Sequence, residues 1–472
     1  MIALSRSDAA RLIRWVPALC GVLLALALFF WLRHGPGLRL ALRVPGTDQP
    51  PGVDSAAMTN AVLAGKLVRG DGRAAELPGT WPGLRGPGRT GIAEAGATLA
   101  RSWDATGPKE LWGVDVGEGY AGTAVLKGRV YLMDYDREHK QDALRCLSLG
   151  DGKEIWRYAY PVPVKRNHGM SRTVPAVTEK IVVAMGPKCH VACLDAVSGE
   201  LKWGVDLVHD HGATVPPWYT GQCPLIDNGI VVLAPAGKDA LRVALEGESG
   251  KLLWRTPNPN GWKMTHSSVM PMDLAGRRTY VYCASLGVVG VDAKDGRLLW
   301  ETTDWKISIA TVPSPVPLAD GRVFFTGGYN AGSLMLELAE QGGKVIPRSL
   351  FKLEPEVFGA TQHTPVLADD YLYGVRADGR FVCLDLNGKV AWATEPSQQF
   401  GLGSFLLANG LIYALNDVGR LTLFEATPGG YRQLAQAQVL KGRESWGPMC
   451  LVGGRLLARD LTRLVCLDVA GR

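Results

Sequence analysis

A repeat is what most limits the folds open to this chain. The stretch from Val191 to Trp203 reads as an apolar strand, a turn closed at Gly199 and a second strand ending on the tryptophan. Variants recur at 145–156, 242–254, 288–300 and 381–392, and tryptophans fall at Trp112, Trp156, Trp203, Trp254, Trp300 and Trp392. Their spacings are 44, 47, 51, 46 and 92 residues, the last being twice the unit. A period of this size marks one supersecondary unit copied along the chain. Weaker copies at 334–351 and 421–434, with Phe351 and Leu434 in place of the tryptophan, bring the count to eight.

A second recurring stretch lies between these hairpins: small residues, often Pro, then two apolar runs separated by a Gly or Asp turn, as at 173–184, 223–233, 314–325 and 364–373. Two hairpins per unit make a four-stranded antiparallel sheet, and eight such sheets around an axis make an all-β, eight-bladed β-propeller. The last unit, 464–472, lacks its outer strand, and a matching strand stands alone at 109–114. The N-terminal strand is therefore expected to complete the last blade and lock the ring.

Three zones follow: an N-terminal tail and anchor at 1–33, a Gly/Pro-rich tether and surface-packing segment at 34–108, and the propeller at 109–472. Residues 15–32 carry no charge, and Trp15 and Trp31 stand where an aromatic belt would put them, roughly 24 Å apart along a helix. A cleaved signal peptide competes with this reading, but Arg33-His34-Gly35 is no small-residue cleavage site. The expectation is one uncleaved transmembrane helix in the inner membrane, with the propeller on the extracytoplasmic side. Arg6, Arg11 and Arg14 balance Arg33, Arg39 and Arg43, so the charges leave orientation open. The net charge of +6 is concentrated there, since residues 1–45 hold six Arg and one Asp. The remainder is nearly neutral, which argues against nucleic-acid binding.

The D-x-x-[ST]-G-x-x-x-W hairpin resembles the tryptophan-docking repeat of the pyrroloquinoline-quinone-type β-propellers, a group that includes quinoprotein dehydrogenases and BamB-like assembly proteins. The prelude from Trp81 to Pro87 and the segment 107–120 are similar to membrane-anchored members from planctomycete-type bacteria. The resemblance covers roughly 81–472 and implies the fold more than any one function. It implies two activities: a BamB-like scaffold for protein or polymer partners in the cell envelope, without catalysis, or a quinone- and Ca²⁺-dependent oxidoreductase. Quinoprotein alcohol dehydrogenases carry an adjacent Cys-Cys pair and acidic Ca²⁺ ligands, and this sequence has no Cys-Cys dipeptide. No cofactor or metal site is assigned from sequence. His209-Asp-His211 lacks a third ligand, and 134–138 reads as a solvated acidic turn.

The repeated tryptophans read as blade-docking residues, each stacking on the neighbouring blade. The acidic column Asp195, Glu246, Asp292, Asp385, Glu425 and Asp468 reads as turn chemistry. Cys146, Cys193, Cys383 and Cys466 occupy one repeat position, matched by Ala244, Gly290, Leu336 and Leu423, and are expected to be free thiols about 10 Å apart. The loops joining each outer strand to the next inner strand should converge on one face of the channel. They supply Tyr120, Arg166, His168, Arg172, Trp218, Trp262, His266, Trp305, Lys306, His363 and Trp446. Two readings stand for this set: ordinary polar and aromatic capping of a propeller end, or a binding face for a peptide, glycan or anionic ligand.

Overall fold

The computed structural model describes residues 6–34, 60–94, 96–104, 106–342 and 344–471. The helix Arg6–His34 forms one unit by itself, and the described residues from Asn60 onward form the other. The second unit is a ring of eight antiparallel sheets. Blades 1 to 7 take their four radial strands from 123–161, 176–206, 225–256, 270–302, 316–353, 366–393 and 405–438. Blade 8 uses 450–468 and receives its outer strand from Lys109–Asp115, which pairs antiparallel with Arg463–Asp468. Trp112 stands opposite Cys466 in that pairing, so the two ends of the repeat region share one sheet. Blades 1 and 7 each carry a fifth strand, Lys66–Arg69 on the outer edge and Ile92–Ala93 on the channel side.

The sequence pattern places the blades through one recurring contact. The indole N–H of Trp112 donates to Leu149 O at 2.9 Å, Trp156 to Val197 O at 3.1 Å, Trp203 to Gly247 O at 2.8 Å, Trp254 to Ala293 O at 3.1 Å and Trp392 to Thr427 O at 2.7 Å. Every acceptor is a turn carbonyl in the outer hairpin of the following blade. The turn glycine makes room for the ring. At Gly199, φ is +76°, and a Cβ there would stand 2.6 Å from the Trp156 indole. The acidic residue opening the turn holds it in shape, as Asp195 does by accepting from Val197 and Ser198 N–H at 3.0 and 2.8 Å. Glu425 departs from that role and pairs with Arg101 and Arg432.

Each outer-strand pairing slips by one residue at a β-bulge, which re-aims the docking side chain. This corrects two positions. In blade 5 Met335, not Leu336, faces Phe351, and in blade 7 Ala435 takes the docking place because Leu434 is the bulged residue. The eight described cysteines of the propeller are buried free thiols. Blade 5 also breaks the docking rule. Its outer hairpin, Gly332–Gln341 with Lys344–Leu353, runs past the usual turn and offers no turn carbonyl there. Trp300 folds back over its own blade, so that a Cβ on Gly290 would sit 2.1 Å from Nε1, and that nitrogen is buried without an acceptor among the described residues.

The expected transmembrane helix needs correction. Among the described residues no helix is long and apolar enough to cross a membrane. The uncharged stretch 15–32 carries Pro17 inside the helix and covers about 27 Å at 1.5 Å per residue, just short of a ~30 Å hydrocarbon core.

The two kinds of tryptophan give opposite expectations under denaturant titration. Trp156→Phe should cost about 1 kcal/mol by stranding the Val197 carbonyl, whereas Trp300→Phe should be neutral or stabilising because its N–H has no partner to lose. Equal losses at both sites would contradict the docking account.

Candidate functional site

The blades' innermost strands begin with small hydroxyl or thiol residues, and these tie the channel wall into a belt. Val174 N–H donates to Cys223 Sγ at 3.1 Å, Cys223 N–H to Ser268 Oγ at 2.9 Å, Ser268 N–H to Ser314 Oγ at 3.0 Å and Ser314 N–H to Thr364 Oγ1 at 2.9 Å. Each bond passes from one blade to the next, from blade 2 to blade 6. Ser404 links blades 7 and 8 by accepting from Met449 N–H and donating to Gly447 O.

The prelude lies across the channel side of this belt, whereas the sequence reading laid it over the ring's surface. Trp81 exchanges backbone hydrogen bonds with Val125 on the innermost strand of blade 1, and Val177 N–H of blade 2 donates to Pro82 O. Arg85 reaches Thr364 O at 2.6 Å and Pro365 O at 2.7 Å on blade 6, and Ile92–Ala93 runs parallel to Phe405–Ala408 of blade 7. The prelude thus floors a cavity of about 420 Å³ that opens at the mouth.

Seven of the expected face residues line this cavity: Tyr120, His168, Arg172, Trp218, His266, His363 and Trp446. Tyr120 is their hub. Its hydroxyl donates to Glu444 and accepts from Gly169 N–H at 3.2 Å, its ring lies 5.1 Å from that of Trp446, and the Arg172 guanidinium sits 5.1 Å from its centroid. Burial, then the Glu444 contact, pushes the Tyr120 hydroxyl up to about 12. Burial pulls Arg172 down to about 10. His266 is lowered to about 4 by burial and then by the Arg172 charge. His363 is also lowered by burial, and its Nε2–H donates to Gly403 O at 2.6 Å. The imidazole is therefore neutral, and its Nδ1 is a buried acceptor with no partner among the described residues.

Four expected residues are elsewhere. Trp262 is 3% exposed in the core shared by blades 2 to 4, and Trp305 is 5% exposed with its N–H on Ala331 O at 3.0 Å. Both are wall packing. Arg166 pairs outside the cavity with Glu118 at 2.6 Å, and Lys306 is exposed away from it. Sequence reasoning missed Arg85, Ser314, Thr364, Phe405 and Tyr329, all of which line the cavity. Only Tyr329 left a trace, in the turn Gly327-Gly-Tyr-Asn330. The mouth is also strained. His168, Trp218, Tyr219, Tyr329 and Glu444 have φ of 55°, 61°, 69°, 55° and 55°, a region that costs a bulky residue about 1–2 kcal/mol.

The donor set decides what the cavity can hold. Among the described residues no Asp or Glu lines it, and its charged lining residues are Arg85 and Arg172. Ca²⁺ takes carboxylate and carbonyl oxygens, so a calcium–quinone assembly does not fit here. Among the described residues, no three His, Cys, Asp or Glu come together to hold a metal ion. His209, in a five-residue helix, faces Asp210 at 2.8 Å.

The chain belongs to the family described as outer membrane protein assembly factor BamB, whose sequence profile matches residues 139–394, more than half of its length. It is 21% identical over 349 residues to the outer membrane protein assembly factor BamB of Moranella endobia (strain PCIT), covering 68% of this chain and 70% of that protein. The crystal structure of BamB from Moraxella catarrhalis superposes with a TM-score of 0.53 at 14% identity, over 76% of this chain and all of that one. A europium-containing methanol dehydrogenase gives 0.52 at 13% identity, over 83% of this chain and 89% of the other. At these identities the two structures establish the fold alone.

The histidine burial sets a pH dependence. A His held neutral in the fold but protonated when unfolded contributes stability that is present above pH ~6.5 and lost as pH falls towards the folded value. His266 should therefore cost up to about 3 kcal/mol between pH 6.5 and 4, and His266→Gln should flatten that slope in denaturant titrations. An unchanged slope would place the acid sensitivity elsewhere.

Proposed function

We propose that this member of the BamB family is a non-enzymatic scaffold: a propeller tethered to the inner membrane by its N-terminal helix, on the extracytoplasmic side, holding a protein or polymer partner of the cell envelope at its channel mouth. One observation carries the reading. Trp218, Tyr329 and Trp446 surround a concave opening, and the first two are held on left-handed backbone that nothing in ring closure requires. Tyr329 is exposed and the two tryptophans are half-buried, and aromatics presented around a concavity are the side chains from which interface hot spots are built. The family is one of assembly factors, which supports a role in holding other proteins.

The tether rests on different grounds. Leu24 is 72% exposed, Trp15 71% and Trp31 67%, and an apolar helix in that state calls for cover. Arginines frame it at both ends in sequence, which suits a lipid boundary.

The full chain should sediment with membranes and a variant lacking residues 6–34 should not. Full-length protein recovered in the soluble fraction would remove the tether. In pull-downs from envelope extracts, Trp218→Ala with Tyr329→Ala should reduce partner recovery at least tenfold at unchanged melting temperature. Equal recovery would remove the mouth as the docking face. Titration with pyrroloquinoline quinone and Ca²⁺ should give no dye reduction, and turnover would overturn the scaffold reading.

A further inference from the structure

Beneath the aromatic rim, the cavity has a charge and hydrogen-bonding pattern that holding a partner at the mouth leaves unused. Arg85, Arg89 and Arg172 gather in and under it, and none of them forms an ion pair among the described residues. Arg85 spends its donors on the carbonyls of Arg89, Thr90, Thr364 and Pro365. Arg89 reaches Val269 O at 3.4 Å, and its Nε has no partner. Carbonyls solvate a guanidinium without neutralising it, so the channel keeps positive charge in a place where burying charge is costly. Burial pulls Arg85 to about 9 and Arg89 to about 10. Glu444, the carboxylate that acts on Arg172, is committed to the Tyr120 hydroxyl.

The neutral groups continue the pattern. Ser314 and Thr364 each accept a backbone N–H in the belt, and among the described residues neither hydroxyl donates a bond of its own. Their O–H groups remain for the cavity. Arg172 gives one Nη2 bond to Asn167 O at 3.1 Å and keeps a free Nε. His363, 7% exposed, presents an acceptor, Nδ1, that wants a donor. Trp218, Phe405 and Trp446 supply apolar faces. At about 420 Å³ the space falls within the ~300–1,000 Å³ typical of small-molecule sites.

We infer that this cavity binds a small hydroxylated carboxylate, an acidic sugar unit: its carboxylate on Arg172 with the Ser314 and Thr364 hydroxyls, a ring hydroxyl donating to His363 Nδ1, and its apolar ring face on the aromatic wall. Of the two arginines that line the cavity, Arg85 spends four of its five N–H donors on carbonyls and Arg172 only one, so Arg172 is the anchor with donors to give, which matches the single charge of a carboxylate better than a phosphate dianion. A simple carboxylate would leave the His363 acceptor and the aromatic faces uncovered. The site goes beyond the scaffold reading, since it needs no partner at the rim.

Calorimetry on the purified full-length protein with D-glucuronate, D-glucose, inorganic phosphate and acetyl-trialanine tests it. Glucuronate should bind at least tenfold tighter than each of the others and weaken as NaCl is raised. Arg172→Gln should lose at least tenfold, and Arg172→Lys, which keeps the charge without the planar fork, should fall between. Should Arg172→Gln misfold, the salt series on the unaltered protein stands in its place. Absence of glucuronate binding at millimolar concentration, equal binding of glucose, or an indifferent Arg172→Gln would each overturn the assignment. Tighter binding of acetyl-trialanine would overturn the sugar in favour of a peptide terminus. No partner protein is present, so failure here is separable from failure of the scaffold reading.

Discussion

The ring depends on an indole of one blade seated in the outer turn of the next. The contact has two halves, the ring with its N–H and a turn carbonyl lying over a left-handed glycine, and one short hairpin motif encodes both. Each copy therefore donates forward and accepts from behind. A buried indole removes about 150–250 Å² of surface, worth up to ~4–6 kcal/mol by area. A chain of such contacts must end at an open face unless the termini meet. Pairing Lys109–Asp115 with Arg463–Asp468 gives Trp112 the same geometry towards blade 1 that the other docking tryptophans have.

The departures show what the contact requires. Trp300 has the ring but meets a hairpin that continues as regular strand, and its N–H goes unpaired. Blade 7 has the turn behind it but presents Ala435 forward, with no ring to seat. The ring tolerates both because blade-to-blade terms are near-neighbour and roughly independent. On the inside, the Cys223–Ser268–Ser314–Thr364 belt joins the same blades by backbone N–H groups, so the long hairpin of blade 5 loosens only the periphery.

The periphery was legible in the sequence because its chemistry is local. A strand, an acidic turn residue, a glycine and a tryptophan lie within about a dozen residues, and their recurrence dictates a closed ring of eight. The one-residue errors at Leu434 and Leu336 come from bulges, which are set by pairing rather than by composition. The mouth was legible only in outline. Trp218, Trp262 and Trp305 all stand in loops between blades, yet the last two turn into the walls, a choice made by Asn258 bracketing Trp262 and by the Ala331 carbonyl waiting for Trp305. Arg85 was hidden in a Gly- and Pro-rich stretch with no period, and nothing short of its four carbonyl contacts places it in the channel.

The division between rim and periphery has a physical logic. Strained backbone persists only where the surroundings over-determine it. The turns of the docking hairpins place glycine at positive φ, as at Gly152, Gly199, Gly250, Gly296 and Gly388, whereas the mouth places Trp218, Tyr219 and Tyr329 there. Those aromatics stand on loops anchored at both ends by strands of the docked ring, so the rigidity built at the circumference fixes the conformation at the centre. The same enclosure keeps Arg85 and Arg172 out of bulk water, where their charge acts over a longer reach than at an exposed surface. A flexible rim over the same arginines would let water screen them. The closed ring and the electropositive cavity are thus one construction, in which outer-hairpin chemistry sets the electrostatics of the channel.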